Sequence, residues 1–175
     1  MIVILTGRVG SGKTAFLTGL LKLLPARSLF ADGFVGERLF ENDRLLGYDL
    51  VAVRDGRRIP FLRRAEGAGT AAVGPWRLVD SSLAAAAEII RTSRPNALLV
   101  VDELGPLELE GRGHWPALAA VLDQPGRRFL FVIRKECLNG FARLFAGRTV
   151  KIHPIRAKMD GGTIVEELAS DGREG

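Results

Sequence analysis

Apolar positions fall along this chain in short unbroken blocks separated by helical patterns. Ile2 to Leu5, Ala97 to Val101, Phe129 to Ile133 and Thr149 to Ile152 are runs of mostly branched or aromatic residues. Such runs are too short for helices and apolar on both faces, the pattern of strands buried in a parallel sheet. Between them lie segments with helical spacing. Phe16, Leu17, Leu20, Leu21 and Leu24 predict a helix over Lys13 to Leu24, stopped by Pro25. Leu83, Ala86, Ala87 and Ile90 share one face of a helix from Ser81 to Thr92, with Asp80 placed to cap it. Trp115 to Leu122, Leu138 to Phe145 and Ile164 to Leu168 complete the set. Strands alternating with helices predict an α/β fold: a mostly parallel sheet covered by helices on both faces.

The stretch 34–79 breaks that rhythm. Leu46 to Arg54 and Arg58 to Leu62 read as strands joined at Asp55-Gly56, a hairpin signal. The Gly/Ala-rich stretch Gly67 to Gly74 reads as a mobile connection before a strand at Pro75 to Val79. The segment is therefore expected to be an antiparallel hairpin insertion. Upstream, Ser28 to Phe30 reads as a short strand and Asp32-Gly33-Phe34 as a turn-like break. Asp171 to Gly175 reads as a frayed, disordered tail, and residues 1–175 as a single domain.

Charge changes the picture little. Lys and Arg total 25 against 20 Asp and Glu, a net charge of +5 and a pI near 10.0, with 7% aromatic residues. The arginines come in scattered pairs (Arg57-Arg58, Arg63-Arg64, Arg127-Arg128), so nucleic acid binding has no support beyond the basic balance. One cysteine, Cys137, excludes an internal disulfide, and neither His114 nor His153 lies at metal-ligand spacing with it. No apolar run approaches the ~20 residues needed to span a bilayer. Ile2 to Leu5 is too short for a signal peptide. A cytoplasmic monomer with no membrane attachment is the expectation.

Candidate chemistry sits at the ends of two strands. The first leads into Gly7-Arg8-Val9-Gly10-Ser11-Gly12-Lys13-Thr14, the phosphate-binding (Walker A) pattern G-x-x-x-x-G-K-T, with Ala15 opening the helix. Its glycines permit backbone conformations closed to other residues. Successive N–H groups can then turn inward around an anion, at the positive end of a helix dipole. Residues 7–15 are thus expected to hold the phosphates of a nucleoside triphosphate, Lys13 to contact the β- and γ-phosphates, and the Thr14 hydroxyl to ligate Mg²⁺. The second strand, Leu98-Leu99-Val100-Val101, runs into Asp102-Glu103, a Walker B pattern. At the ligand edge of a parallel sheet, Asp102 is expected to hold hydrated Mg²⁺ and Glu103 to activate water. Asp102 to Gly105 also fits D-x-x-G, but the chain has no N-K-x-D to read guanine.

At these residues the chain resembles the THEP1-type nucleoside-triphosphatases. The likeness runs from the phosphate loop through Gly33-Phe34, Glu37-Arg38, Leu46-Gly47-Tyr48-Asp49-Leu50 and Val73-Gly74-Pro75-Trp76 to Val101-Asp102-Glu103-Leu104-Gly105-Pro106-Leu107-Glu108-Leu109. It implies a RecA-like P-loop core and slow Mg²⁺-dependent hydrolysis of ATP, GTP and other nucleoside triphosphates. Two departures from the family pattern are Pro106, where Lys is frequent, and Pro75-Trp76, in place of a basic residue followed by Tyr.

Several further residues bear on the site. Glu108 is read as a support for Asp102 or a helix-start acid, and Arg8 as a nucleotide contact or a solvent-facing group. Arg134 follows a buried strand and is read chiefly as a surface pair with Lys135, or else as a cation acting on the γ-phosphate. Glu37 and Arg38 are read as lining the site, on the family likeness alone, or else as a surface ion pair. Trp76 reads chiefly as a packed aromatic, or else as a stack on a base; His153 and Cys137 read as structural. Two rival functions use the same core: a nucleotide or nucleoside kinase, with the 34–79 insertion forming an acceptor pocket, and a nucleotide-gated RNA-binding module.

Overall fold

The apolar run at the start of the chain forms β1 (Ile2–Gly7), and in the computed structural model the described residues are 1–64, 72–73, 75–156 and 159–170. The elements that follow are α1 (Lys13–Leu21), β2 (Ala31–Glu41), β3 (Arg44–Ala52), β4 (Arg58–Arg64), β5 (Ala72–Val73), β6 (Trp76–Leu78) and α2 (Ser82–Arg91). Then come β7 (Leu98–Leu104), α3 (Pro106–Leu109), α4 (Trp115–Leu122), β8 (Phe129–Arg134), α5 (Leu138–Leu144), β9 (Val150–Pro154) and α6 (Gly162–Ser170).

Among the described residues the strands form one nine-stranded sheet in the order β5-β6-β4-β3-β2-β7-β8-β1-β9. From β2 to β9 all neighbours are parallel; from β2 to β5 all are antiparallel. Successive side chains of a strand face opposite ways, which sorts the parallel core into two layers. Ile2, Ile4, Leu99, Val101, Phe129, Phe131 and Ile133 pack with Ala86 and Ile90 of α2, Leu118 and Val121 of α4, and Phe141 of α5. Val3, Leu5, Leu98, Val100, Leu130 and Val132 pack with Leu17 and Leu20 of α1 and Ile164, Val165 and Leu168 of α6. These strands are apolar throughout because both of their faces are covered.

The structure corrects several boundaries. α1 ends at Leu21, and Leu24–Arg27 form a separate 3₁₀ turn. Ser28 to Phe30 is not a strand, and Asp32-Gly33-Phe34 is not a break: all three lie inside β2, an eleven-residue strand. Gly33 has φ +102°, and a Cβ there would come within 1.9 Å of the Val100 carbonyl oxygen. The glycine that reads as a turn is the residue that lets β2 lie against β7. β2 and β3 join at Asn42-Asp43, both with positive φ, the geometry of a two-residue hairpin turn. Asp80 does not cap α2; Ser81 stands at that position, with no side-chain cap. β7 includes Asp102 and Glu103 rather than ending before them. The predicted connection Gly67 to Gly74 lies outside the described residues except for β5, and the predicted tail lies outside them altogether. Among the described residues no helix is long and apolar enough to cross a membrane.

Candidate nucleotide site

Strand order brings the two sequence motifs together. β8 lies between β1 and β7, so the phosphate loop and Asp102-Glu103 flank its C-terminal end, where Arg134 pairs in register with Gly7. Gly10 and Gly12 adopt φ of +78° and +83°. Gly12 precedes α1, which among the described residues starts without a side-chain cap, so its first amides are free for an anion. Arg8, Val9, Gly10, Ser11, Gly12 and Ala15 are exposed, and Gly7 and Thr14 are half-buried.

Lys13 is buried under its own loop. Its Nζ donates to the carbonyl oxygens of Gly7 (3.2 Å) and Arg8 (3.1 Å) and stands 3.6 Å from Glu103 Oε2. The Thr14 hydroxyl donates to Asp102 Oδ2 at 2.8 Å, and the Gly36 amide donates to the same oxygen at 3.3 Å. Asp102 is buried, and burial raises its carboxyl to about 6 against the hydrogen bond from Thr14, with the nearby Glu103 charge adding to the rise. Glu103 is one-quarter exposed and receives the Arg134 guanidinium on Oε1. The register between β7 and β8 shifts between Asp102 and Leu104, so Glu103 is the residue left without a partner in the ladder.

Among the described residues no three His, Cys, Asp or Glu side chains cluster as a metal site. One hydroxyl and one carboxylate are instead the donor set of a cation that keeps its waters and takes phosphate oxygens, as Mg²⁺ does.

Glu108 does not reach Asp102. Its carboxylate accepts from the Gly105 amide (2.9 Å), capping its own short helix, and from the His114 amide (3.1 Å). Burial pushes its carboxyl up against those two bonds. Glu37 pairs with Arg58 at 2.8 Å, and Arg38 is exposed, standing opposite Tyr48. Trp76 meets Tyr48 edge-on at 5.3 Å. His153 bonds Glu167, and Cys137 is buried, its thiol pushed up by burial. Two partners escaped the sequence reading. The Gly36 amide is hidden in the sequence because Asp32-Gly33-Phe34 reads as a break inside what is β2. The Arg134–Glu103 contact spans two strands, and the only signal for it was an arginine at the end of a buried strand.

The family model described as NTPase matches residues 2–160. The chain is 31% identical over 146 residues to the nucleoside-triphosphatase THEP1 of Methanopyrus kandleri, covering 77% of this chain and 80% of that protein. It is 31% identical over 135 residues to a cancer-related nucleoside-triphosphatase homologue of Bos taurus, covering 71% and 70%. Two solved structures share the fold: a human cancer-related nucleoside triphosphatase (TM-score 0.75, 23% identity, 99% and 97% covered) and THEP1 from Aquifex aeolicus (TM-score 0.67, 17% identity, 99% and 100% covered). With most of its length matched and the two motifs meeting at one sheet edge, this chain belongs to the NTPase family.

Proposed function

We propose that the protein hydrolyses nucleoside triphosphates to diphosphates and inorganic phosphate, with Mg²⁺, at the edge formed by the phosphate loop and β7. The observation that carries the reading is the meeting of Lys13, Thr14, Asp102 and Glu103 across 3.6 Å or less at each link. Names of the relatives support the same activity. Lys13 leaves its loop carbonyls for the β- and γ-phosphates, and the loop amides hold the remaining oxygens. Thr14 and Asp102 would hold Mg²⁺, which would supply positive charge to offset that of the phosphate oxygens. Glu103 orients a water and takes its proton as the water oxygen bonds to the γ-phosphorus and the bond to the leaving diphosphate breaks. Such a base contributes roughly 10²–10⁴ in rate.

The test follows label from γ-³²P ATP and GTP with Mg²⁺, with and without a pool of nucleosides and nucleoside monophosphates. Free phosphate regardless of acceptor is expected; label moving onto an acceptor makes the protein a kinase and overturns the reading. Glu103→Gln should keep nucleotide binding and lose turnover by about the factor of a general base. Wild-type turnover in that variant removes Glu103 from the role.

A further inference from the structure

Glu103 is one carboxylate shared by two cations. Its Oε2 faces Lys13 Nζ at 3.6 Å, beyond hydrogen-bond reach, while its Oε1 receives a direct bond from Arg134 Nε. The two contacts therefore differ in kind. Lys13 is a point charge held by two loop carbonyls, and only its contact with Glu103 is loose. Arg134 is a planar donor with a fixed direction, and its place is fixed as well. It ends β8 beside Gly7, and a Cβ on Gly105 would lie 3.6 Å from its Nε, so its stem runs along that glycine.

We propose that Arg134 is a positioning residue that keeps Glu103 from closing on Lys13. A carboxylate beside the phosphate-loop lysine competes with the incoming triphosphate for the same ammonium. Anchored by Arg134, Glu103 stays at a loose distance, and the phosphates displace a weak contact rather than a strong one. Without Arg134 the carboxylate has, among the described residues, Lys13 as its remaining cation partner and moves onto it. Both groups are partly accessible, Glu103 at 27% and Arg134 at 35%, so the expected effect is that of a half-exposed ion pair, not of a buried one. The sequence favoured a surface pairing of Arg134 with Lys135; the guanidinium instead turns inward to the candidate site. This inference rests on the proposed nucleotide site, since it assigns Lys13 to the phosphates.

The experiment is a binding cycle with the non-hydrolysable triphosphate AMPPNP and Mg²⁺, measured by calorimetry on the full chain. Its four proteins are wild type, Arg134→Ala, Glu103→Gln and the double variant. Arg134→Ala is expected to raise Kd roughly fivefold. Glu103→Gln is expected to suppress that loss, because the competing anion is gone, leaving the double variant within about twofold of Glu103→Gln alone. Arg134→Lys, which keeps the charge, should fall between wild type and Arg134→Ala. An equal loss from Arg134→Ala in both backgrounds would mean that Arg134 touches the phosphate itself or merely supports the fold, and it overturns the proposal. So does an unchanged Kd. Suppression by Glu103→Gln is the result that a merely structural role cannot give. Failure of the functional reading shows elsewhere, as γ-phosphate label moving onto an acceptor instead of into free phosphate, so the two outcomes are separable.

Discussion

In the parallel half of the sheet, β1, β7 and β8 send apolar side chains into both layers, and their interior positions are fully buried. In the antiparallel half, β3 and β4 do so on one side only. Leu50, Ile59 and Phe61 join the cluster under α2, while the other side carries a chain of ion pairs, Glu37–Arg58–Asp49–Arg63. The candidate site lies at the edge of the first half, and β2 forms the border. Its Gly33 lies against Val100, and its Gly36 amide reaches Asp102. Burial on both faces fixes the position of a strand end, which a phosphate site needs. A sheet with one solvated face is held by local pairing and can vary without moving that edge.

The largest expected effect tests the first half. Phe131 is fully buried at the centre of β8 and stacks on Phe145 at 5.6 Å. Phe131→Ala should cost about 3–5 kcal/mol in urea unfolding, the range for deleting a buried aromatic ring. A loss below about 1 kcal/mol would mean that the parallel core is not where stability resides.

The two motifs were legible in the sequence because each is set by neighbouring residues: the glycines and lysine of the loop, and the apolar strand running into Asp102-Glu103. The parallel strands were legible because burial on both faces writes a continuous apolar run. The antiparallel border was not. Gly33 looks like a turn signal, and only the approach of the Val100 carbonyl explains it. The hairpin at Asn42-Asp43 needs positive φ at both residues, which two polar residues do not announce as strongly as Asp55-Gly56 does. Arg134 and Glu103 are 31 residues apart, and nothing local ties them together.

A middle-sized effect tests the seam between the halves. His114 lies at the start of α4 with its ring 4.9 Å from Phe34 of β2 and 5.5 Å from Phe61 of β4. Burial lowers its pKa to about 4. The unfolded chain, with a histidine near 6.5, binds the proton first, so His114 supports the fold fully above that pH. Its contribution is lost as pH falls toward about 4. Between pH 7 and pH 5 this amounts to about 2 kcal/mol of lost stability. Asp32 adds to the loss only at lower pH. Burial opposes its charge, but bonds from Arg54 and Arg94 outweigh burial and hold its carboxyl well below the usual carboxylate range. Protonation of Asp102, raised to about 6 by burial, offsets part of the His114 loss over the same window. The His114 contribution is therefore read as a difference: urea unfolding should show stability falling more from pH 7 to pH 5 in wild type than in His114→Phe. An equal drop in both would place the pH sensitivity elsewhere.

The smallest effect sharpens the contrast most. Arg58 bridges Glu37 and Asp49 on the solvated side, and its own side chain is half exposed. Exposed pairs contribute at most about 1 kcal/mol, and buried Asp49 keeps its bond from Arg63 when Arg58 is removed, so Arg58→Ala should scarcely move the global unfolding midpoint. Local opening is a different quantity, drawn from the low-stability end of the molecule. In hydrogen exchange, amides of β3 and β4 should exchange faster in Arg58→Ala, because the ion-pair chain crosses from β2 to β4 on that face. Amides of β1 and β8 should be unchanged, since the parallel core shares none of those contacts. Faster exchange in β1 as well would show that the two halves open as one unit, and the division at β2 would then be one of topology alone.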